Sequence, residues 1–262
     1  MTNKFSISIV SHGHDRYIES LIIAIARLKR QDIEVILTLN IPEKLKIDFN
    51  QVPFPLRIIK NRTPKGFASN HNSAYAISDG ENFVILNPDI ELFDDPFDIL
   101  LNLITQSPNS ICAPLVINGQ NEIEASARNF PSPVLLCKKL LSRICHFSLV
   151  PEILESTDEV IIPDWVAGMF VVIPRNVYAN LHGLNEKYHM YYEDVDLCAR
   201  ARLAGYKILV SKHAKVIHEA QHDSHRKLRY LSWHIVSAFK FFTSSAYLKI
   251  SWNRLIHKTS KF

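Results

Sequence analysis

Apolar positions in the first two thirds of the chain alternate between short continuous runs and runs spaced by three and four residues. The continuous runs predict buried strands, and the wider spacing predicts amphipathic helices. The expected strands cover residues 5–10, 34–39, 56–59 and 82–86. The expected helices begin near Asp15, cover residues 69–78, and begin at Pro96 behind the capping carboxylates Asp94 and Asp95. This alternation predicts an α/β fold, with a mostly parallel sheet flanked by helices.

The pattern loosens beyond about residue 120. There it predicts helices over residues 131–147 and 193–204, a strong strand over 166–173, and short strands over 206–210 and 215–217. Gly205 is a typical helix stop. From Arg226 onward the spacing predicts one long amphipathic helix, and the chain has no internal repeat or low-complexity linker.

The composition is that of a globular protein, with 262 residues of which 47% are hydrophobic and 21% charged. No apolar run reaches the roughly 18 residues that a membrane span requires, and the start of the sequence lacks a signal peptide's apolar core. We therefore expect a cytoplasmic protein. The net charge of +4 is uneven, because eight basic residues and no acid follow Asp223.

The four cysteines have no CxxC spacing and lie among apolar residues, which predicts free buried thiols instead of disulfides or a zinc site. They are Cys112, Cys137, Cys145 and Cys198.

Three polar segments follow predicted strands, where parallel sheets bind their ligands: residues 11–14, Asn40, and Asn87 to Asp89. Asp89 follows the rigid Pro88 at the mouth of an apolar strand. An acid in this position can hold a Mg²⁺ or Mn²⁺ ion that also binds substrate phosphate. Asn, Pro and Asp are also ordinary turn residues, so this segment alone does not decide between a metal site and a turn.

Two further clusters carry candidate chemistry. Glu193, Asp194 and Asp196 lie among tyrosines, where one carboxylate can act as a general base, although acids also stabilise the first turn of a helix. His218 ends a predicted strand and is followed by more histidines and Arg226, a grouping suited to metal or phosphate. Gly168, in the segment 164–168, would let the backbone approach a ligand closely.

Together and in this order, these segments resemble the family 2 glycosyltransferases, and within them the bacterial O-antigen and cell-wall rhamnosyltransferases. The matching segments are residues 9–14, 65–72, 86–89, 164–168, 192–198 with Arg200 and Gly205, and 216–218. The resemblance implies a GT-A fold over residues 1–225. Its nucleotide-sugar-binding half would end near residue 115, its acceptor-binding and catalytic half would follow from about 116, and residues 226–262 would form a basic helical tail.

The resemblance also implies roles for individual residues. Asp194 matches the catalytic base, and Asp89 and His218 match the ligands of a Mg²⁺ or Mn²⁺ cofactor. Substrate binding is implied for Ser11, His12 and Asn40 around the nucleotide base and ribose, for Lys65, Gly66, Phe67 and Asn72 along the donor pocket, and for Asn87, Trp165, Gly168, Glu193 and Arg226. Asn40 stands where many relatives carry an acid, and Asn87 replaces the first Asp of the metal motif, which leaves Asp89 as the principal carboxylate.

Such an enzyme would transfer L-rhamnose from dTDP-β-L-rhamnose, with inversion, to a sugar carried on polyprenyl diphosphate in O-antigen or cell-surface polysaccharide assembly. The alternatives are another sugar, such as galactose or N-acetylglucosamine, from a UDP donor, and a nucleotide-sugar-binding protein without catalysis. The basic tail has no nucleic-acid-binding motif. We expect it to bind an anionic membrane surface at the inner face of the bacterial plasma membrane, or else to pack on the domain.

Overall fold

Strands and helices alternate through most of the molecule. The computed structural model describes residues 4–48, 51–145, 153–154, 156–218 and 228–259. The helices are α1 (Asp15–Arg27), α2 (Phe67–Ala76), α3 (Phe97–Gln106), α4 (Pro133–Cys145), α5 (Arg175–Asn180), α6 (Glu193–Leu203), α7 (Leu228–Phe242) and α8 (Ser245–Thr259). The strands are β1 (Phe5–Ser11), β2 (Ile33–Leu39), β3 (Leu56–Lys60), β4 (Asn82–Leu86), β5 (Ile90–Glu91), β6 (Ser110–Ile117), β7 (Ala127–Arg128), β8 (Val160–Ile161), β9 (Trp165–Val166), β10 (Phe170–Pro174) and β11 (Lys207–His218).

A nine-stranded sheet runs through the described residues in the order β3-β2-β1-β4-β10-β6-β11-β5, with β8 beside β11. Strands β1 to β4 pair in parallel, as do β6 and β11. Strand β10 is antiparallel to both of its neighbours, β4 and β6. The predicted α/β architecture, with a mostly parallel sheet flanked by helices, is confirmed.

Both faces of the sheet are buried, because successive side chains of a strand point to opposite faces. In β4, Phe83 and Ile85 join one apolar cluster while Val84 and Leu86 join the other. Helices α1 and α3 cover the second cluster, and helices α2, α5 and α6 cover the first. The carboxyl ends of β1, β2 and β4 therefore meet at one edge between these layers, where the polar segments follow.

Two predicted strand boundaries are wrong for a local reason. The expected strand over residues 166–173 is divided into β9 and β10 by a turn at Gly168, in which Met169 N donates to Ala167 O at 2.7 Å. The two short strands expected over residues 206–217 form the single strand β11 instead. Its register against β6 shifts between Ser211 and Lys215, so a bulge absorbs the irregular sequence without ending the strand.

Helix starts also differ slightly from the prediction. Helix α2 begins at Phe67, two residues before the predicted start, behind Gly66. Pro96 precedes the first residue of α3, and Asp95 Oδ1 accepts a hydrogen bond from Phe97 N at 2.9 Å, so Asp95 acts as a capping carboxylate. Asp15 is the first residue of α1, and its Oδ1 accepts a hydrogen bond from Arg16 N at 2.9 Å.

The C-terminal segment forms two helices, α7 and α8, instead of the single long helix predicted, because the chain turns at Thr243 and Ser244. Phe241 of α7 is fully buried, with its ring centroid 5.6 Å from that of Tyr192 and 6.5 Å from that of Phe130. Ile250 of α8 is buried in the same cluster. The described part of the expected tail thus shares the core of the domain.

The apolar residues of α7 are divided between exposed and buried positions. Ile235 and Phe239 are exposed, whereas Ala238 and Phe241 are buried. Apolar residues occupy two sides of α7, and the body of the protein covers only one of them. Within the described residues, no helix has both the length and the apolar character needed to cross a bilayer.

The cysteine prediction is correct for two side chains and wrong for a third. Cys112 and Cys198 are free and buried, and burial raises the pKa of their thiols to about 11 and about 12. Cys137 is free but exposed, because its position on α4 faces solvent. The side chain of Cys145 lies outside the described residues.

We expect Phe241→Ala to lower the free energy of unfolding by about 3–5 kcal/mol, since it opens a cavity in the shared core. Phe239→Ala is the matched control on the same helix. Phe239 is 70% exposed, so its loss is expected to change stability by less than about 0.5 kcal/mol. Urea denaturation of both variants measures the difference. Equal, small effects would mean that α7 does not belong to the folded core.

Candidate active site

Asp89 and His218, predicted to share a metal ion, lie side by side at the carboxyl ends of their strands. Asp89 follows β4, and His218 is the last residue of β11, paired with Ile90 of β5. Asp89 Oδ2 lies 3.4 Å from His218 Nε2. Asp89 Oδ1 is buried and has no hydrogen-bond partner among the described residues.

These two side chains fit a divalent cation. A buried carboxylate oxygen without a partner is costly unless a ligand satisfies it. The two candidate ligand atoms are separated by little more than the about 3 Å between adjacent ligands of an octahedral ion with bonds of about 2.1 Å. No group of three or more His, Cys, Asp or Glu side chains suited to a metal occurs within the described ranges. Oxygens of a diphosphate and water would therefore complete the coordination, as is common for Mg²⁺.

The other ring nitrogen of His218 contacts Glu124, with Nδ1 2.8 Å from Glu124 Oε2. Burial tends to lower the pKa of His218, but the hydrogen bonds and charges of Asp89 and Glu124 outweigh it and raise the pKa above its ordinary value. His14 is close enough to Asp89 to feel its charge. Burial nevertheless lowers the pKa of His14, so this imidazole favours its neutral form.

Asp194, the predicted base, lies in the first turn of α6. Its Oδ2 accepts a hydrogen bond from Gly168 N at 3.1 Å, and its Oδ1 accepts one from Val195 N at 2.8 Å. Burial raises the pKa of Asp194, and these N–H groups offset part of the rise. A carboxylate with a raised pKa is better suited to accept a proton near neutral pH.

A chain of backbone contacts joins the metal motif to this base. Asn87 N donates to Met169 O at 2.7 Å, and Gly168 N, in the same turn, donates to Asp194. A β-carbon at Gly168 would lie 3.3 Å from the ring of Phe67, so the turn leaves little room for a larger residue. One backbone turn therefore connects the segment of the candidate metal ligand Asp89 with the candidate base.

The three acids of this segment have different surroundings. Asp196 is buried and forms an ion pair with Arg200 at 2.7 Å. Arg200 also donates hydrogen bonds to the carbonyls of Leu181 and Gly183, so the role of Asp196 is structural. Glu193, predicted to contact substrate, is only 5% exposed and lies beneath the surface. Burial, followed by the charge of Asp194, raises the pKa of Glu193 to about 8.

The turn before α6 has an unusual backbone. Tyr191 and Tyr192 both have φ of 69°, in the left-handed region that non-glycine residues rarely adopt. Helix α7 packs against this turn: the ring of His234 lies 5.4 Å and 5.3 Å from the two tyrosine rings, and Ser237 Oγ donates to Met190 O at 2.8 Å. Each such residue costs about 1–3 kcal/mol and persists only where surrounding contacts hold it.

The predicted nucleotide-binding residues lie at the ends of β1 and β2. Ser11 Oγ donates to Glu43 Oε2 at 2.5 Å, while the side chains of His12 and Lys65 are exposed. Asn40 Oδ1 accepts hydrogen bonds from the backbone N of Lys65 and from Asn61, both at 2.8 Å. The Asn40 amide therefore holds the loop at Lys65, and its contact with the nucleotide base stays a prediction.

The remaining predicted residues divide between the site and its support. Phe67 lines a small cavity beside Gly168 and Asp194, and a β-carbon at Gly66 would come within 2.6 Å of His189 O. Trp165 Nε1 donates to Asn129 O at 2.9 Å. The Asn72 side chain bonds Tyr178 and the backbone of Leu184, and its role in the donor pocket stays a prediction. Arg226 lies outside the described residues.

No protein-family model matches the chain. Among curated proteins, it is 27% identical over 247 residues to the rhamnosyltransferase WbbL of Escherichia coli K12, covering 90% of this chain and 91% of that protein. It is also 27% identical over 157 residues to N-acetylglucosaminyl-diphospho-decaprenol L-rhamnosyltransferase of Mycobacterium tuberculosis, covering 55% of this chain and 48% of that protein.

Solved structures share the fold at lower identity. GalNAc-T7 with UDP, GalNAc and Mn²⁺ superposes with a TM-score of 0.60 at 18% identity, covering 83% of this chain and 43% of that one. TarS of S. aureus superposes with a TM-score of 0.62 at 12% identity, covering 92% of this chain and 40% of that one. The mannosyltransferase PcManGT of Pyrobaculum calidifontis, with GDP-Man and Mn²⁺, superposes with a TM-score of 0.60 at 12% identity. This match covers 92% of this chain and 65% of that one. The fold is GT-A.

The sequence similarity and the fold together support a glycosyltransferase that is similar to the family 2 rhamnosyltransferases. Its similarity to the rhamnosyltransferases extends over nine tenths of its length in the first comparison, so the motifs and the fold point to the same family.

Sequence reasoning missed three charged residues of the glycosyltransferase site: Glu43, Glu124 and Arg128. Glu43 accepts hydrogen bonds from Ser11 and from Gly13 N, the latter at 2.8 Å. The Arg128 guanidinium lies 5.4 Å from the Trp165 ring centroid, and its charge opposes the rise in the pKa of Asp194. None of the three belongs to a recognisable motif, and each contacts a residue that is distant in the sequence.

The raised pKa of Glu193 predicts a pH-dependent stability. We expect that, between pH 4.5 and about 8, the folded protein retains a proton on Glu193 that the unfolded chain has released. Stability should therefore fall as pH rises through this window, by up to about 1.4 kcal/mol per pH unit from this group. Glu193→Gln should remove that contribution. Denaturant unfolding of both proteins from pH 5 to 8.5 measures it, and parallel stability curves would contradict the assignment.

Proposed function

We propose that the glycosyltransferase transfers L-rhamnose from dTDP-β-L-rhamnose to a saccharide carried on polyprenyl diphosphate, in O-antigen or other cell-surface polysaccharide assembly. The observation that carries catalysis is the pair of backbone hydrogen bonds joining the Asn87–Asp89 motif to Asp194. Both relatives are rhamnosyltransferases by name, which supports the sugar, and the name of the second supports a lipid diphosphate carrier.

The reaction is a direct displacement. The acceptor hydroxyl gives its proton to Asp194 as its oxygen bonds the anomeric carbon. The bond from that carbon to the diphosphate breaks on the opposite face, so the configuration inverts and an α-rhamnoside forms. Gly168 N and Val195 N hold the Asp194 carboxylate toward the site in one orientation.

Asp89 and His218 would hold Mg²⁺ or Mn²⁺, which supplies positive charge against the leaving diphosphate. Three features support this: Asp89 Oδ1 has no partner among the described residues, Asp89 Oδ2 lies 3.4 Å from His218 Nε2, and two structures that share the fold contain Mn²⁺.

The donor is tested by incubating the protein with a panel of dTDP-rhamnose, UDP-galactose and UDP-N-acetylglucosamine, with Mg²⁺ or Mn²⁺ and a polyprenyl-diphosphate-linked sugar. Release of the nucleoside diphosphate is measured. We expect turnover with dTDP-rhamnose. Turnover only with a UDP sugar would mean that the proposed donor is wrong and that the proposed glycosyl transfer is correct. Binding of a nucleotide sugar without turnover would favour a non-catalytic binding protein.

Asp194→Asn should lower kcat by about a hundredfold or more while donor KM changes little, because the amide cannot accept the proton. Asp196→Asn is the matched control on the same helix. It should lower thermal stability through the lost Arg200 ion pair but retain turnover at low temperature. Near-normal turnover of the Asp194 variant would remove this residue from the mechanism.

Turnover should stop in EDTA and return with Mg²⁺ or Mn²⁺. Asp89→Ala should raise the metal concentration needed for half-maximal rate, because one of two protein ligands is lost. Asp94→Ala, which removes an exposed acid close by in the chain, should leave the metal dependence unchanged. Full activity in chelator would contradict the metal assignment for both Asp89 and His218.

The protein's second partner, we propose, is the anionic inner face of the bacterial plasma membrane, where a polyprenyl-linked acceptor lies. Helices α7 and α8 each bury one face in the core and turn another outward. The outward faces carry apolar residues among lysines: Ile235, Val236, Phe239 and Lys240 on α7, and Leu248, Lys249 and Trp252 on α8. No acid follows Asp223 to oppose binding to anionic lipid.

Phe239→Ser combined with Trp252→Ser should reduce binding to anionic liposomes roughly tenfold or more, since two exposed aromatic side chains are lost. Phe93→Ser, at an exposed aromatic elsewhere on the surface, is the control. Co-sedimentation at low and high salt measures binding. Point changes are needed because truncation after Ser244 would remove Ile250 from the core. Equal sedimentation of all variants, or none by the wild type, would contradict the membrane proposal.

A further inference from the structure

Glu124 contacts the candidate metal site from a loop that no motif includes. Its Oε2 lies 2.8 Å from Nδ1 of His218, 94 residues away in the sequence. The loop is held independently by its backbone: Glu124 N donates to Val116 O at 2.9 Å, and Ser126 N donates to Glu124 O at 2.7 Å. The Glu124 side chain is partly buried and is placed by these contacts beside β11.

The contact with Glu124 decides whether Nε2 of His218 carries a proton or a lone pair. A neutral imidazole carries its proton on one nitrogen and a lone pair on the other. When Nδ1–H donates to Glu124, the lone pair is on Nε2, which faces Asp89. Histidines that bind metals commonly donate their other N–H to a carboxylate in this way, which fixes both the tautomer and the ring orientation.

We propose that Glu124 is a positioning residue, which holds His218 so that Nε2 is available as a ligand for the divalent cation. The inference rests on the metal dependence proposed above. It goes beyond that proposal because it assigns a role to a residue that would not itself touch the metal, the donor or the acceptor.

A purely structural role for Glu124 would predict something different. Partly exposed ion pairs contribute little to stability, and the backbone hydrogen bonds of the loop do not depend on the carboxylate. Glu122, two residues earlier, offers a matched comparison. Its Oε2 accepts a hydrogen bond from Asn118 Nδ2 at 3.0 Å within the same loop, and it makes no contact with His218 among the described residues.

The test is the affinity of the full chain for Mn²⁺ in the presence of dTDP, and separately of UDP, followed by the electron paramagnetic resonance signal of free Mn²⁺. Glu124→Ala should weaken Mn²⁺ binding by about 10–100-fold. Glu124→Gln should recover part of that loss, since its amide oxygen still accepts from Nδ1. Glu122→Ala should bind like the wild type, and all three variants should unfold within a few degrees of it.

A double variant separates the inference from the proposal on which it rests. If Glu124 acts through His218, then Glu124→Ala should weaken Mn²⁺ binding no further once His218→Ala is present. If the wild type binds Mn²⁺ and His218→Ala weakens it while Glu124→Ala does not, the metal proposal stands and the role of Glu124 is overturned. If the wild type binds no Mn²⁺ with either diphosphate, both fail.

Discussion

The hydrogen bond from Gly168 N to Asp194 joins parts of the chain that the fold brings together from different layers. Gly168 lies in a turn between two sheet strands, whereas Asp194 begins a helix that packs on one face of the sheet. The same turn accepts the hydrogen bond of Asn87 N through Met169 O. Phe67 packs so closely on Gly168 that the turn tolerates little additional volume. The relative position of base and metal motif therefore depends on one short backbone segment.

Burial divides the acids of the site into separate roles. A carboxylate taken out of water must be neutralised, paired or given hydrogen-bond donors. Asp196 is paired with Arg200, Asp194 receives two backbone N–H groups, and Glu193 has the raised pKa of an acid that holds its proton. Three acids within four residues can coexist at one helix start because each is stabilised in the interior by a different means.

Local patterns predicted the sheet well because its strands are buried on both faces, as β4 shows with its unbroken apolar run before Asn87. Asp89 and His218 were recognisable since each directly follows or ends such a strand. Long-range contacts were not readable. Nothing near residue 168 in the sequence shows that its N–H bonds a helix 26 residues later, and this contact accompanies the break between β9 and β10. The sequence also left open which side of α7 packs on the domain, because apolar residues occupy two of its sides and only the folded body covers one.

The left-handed pair Tyr191 and Tyr192 has a consequence for how the protein is made. This turn sets the start of the helix that bears Asp194, and it is held by His234, Ser237 and Phe241 of α7. A chain leaving the ribosome presents the turn before it presents the helix that supports it. The nascent protein can form its sheet early, but the strained turn must wait for α7. The start of α6, with Asp194, should therefore become fixed late in synthesis, after the strands of the sheet have folded.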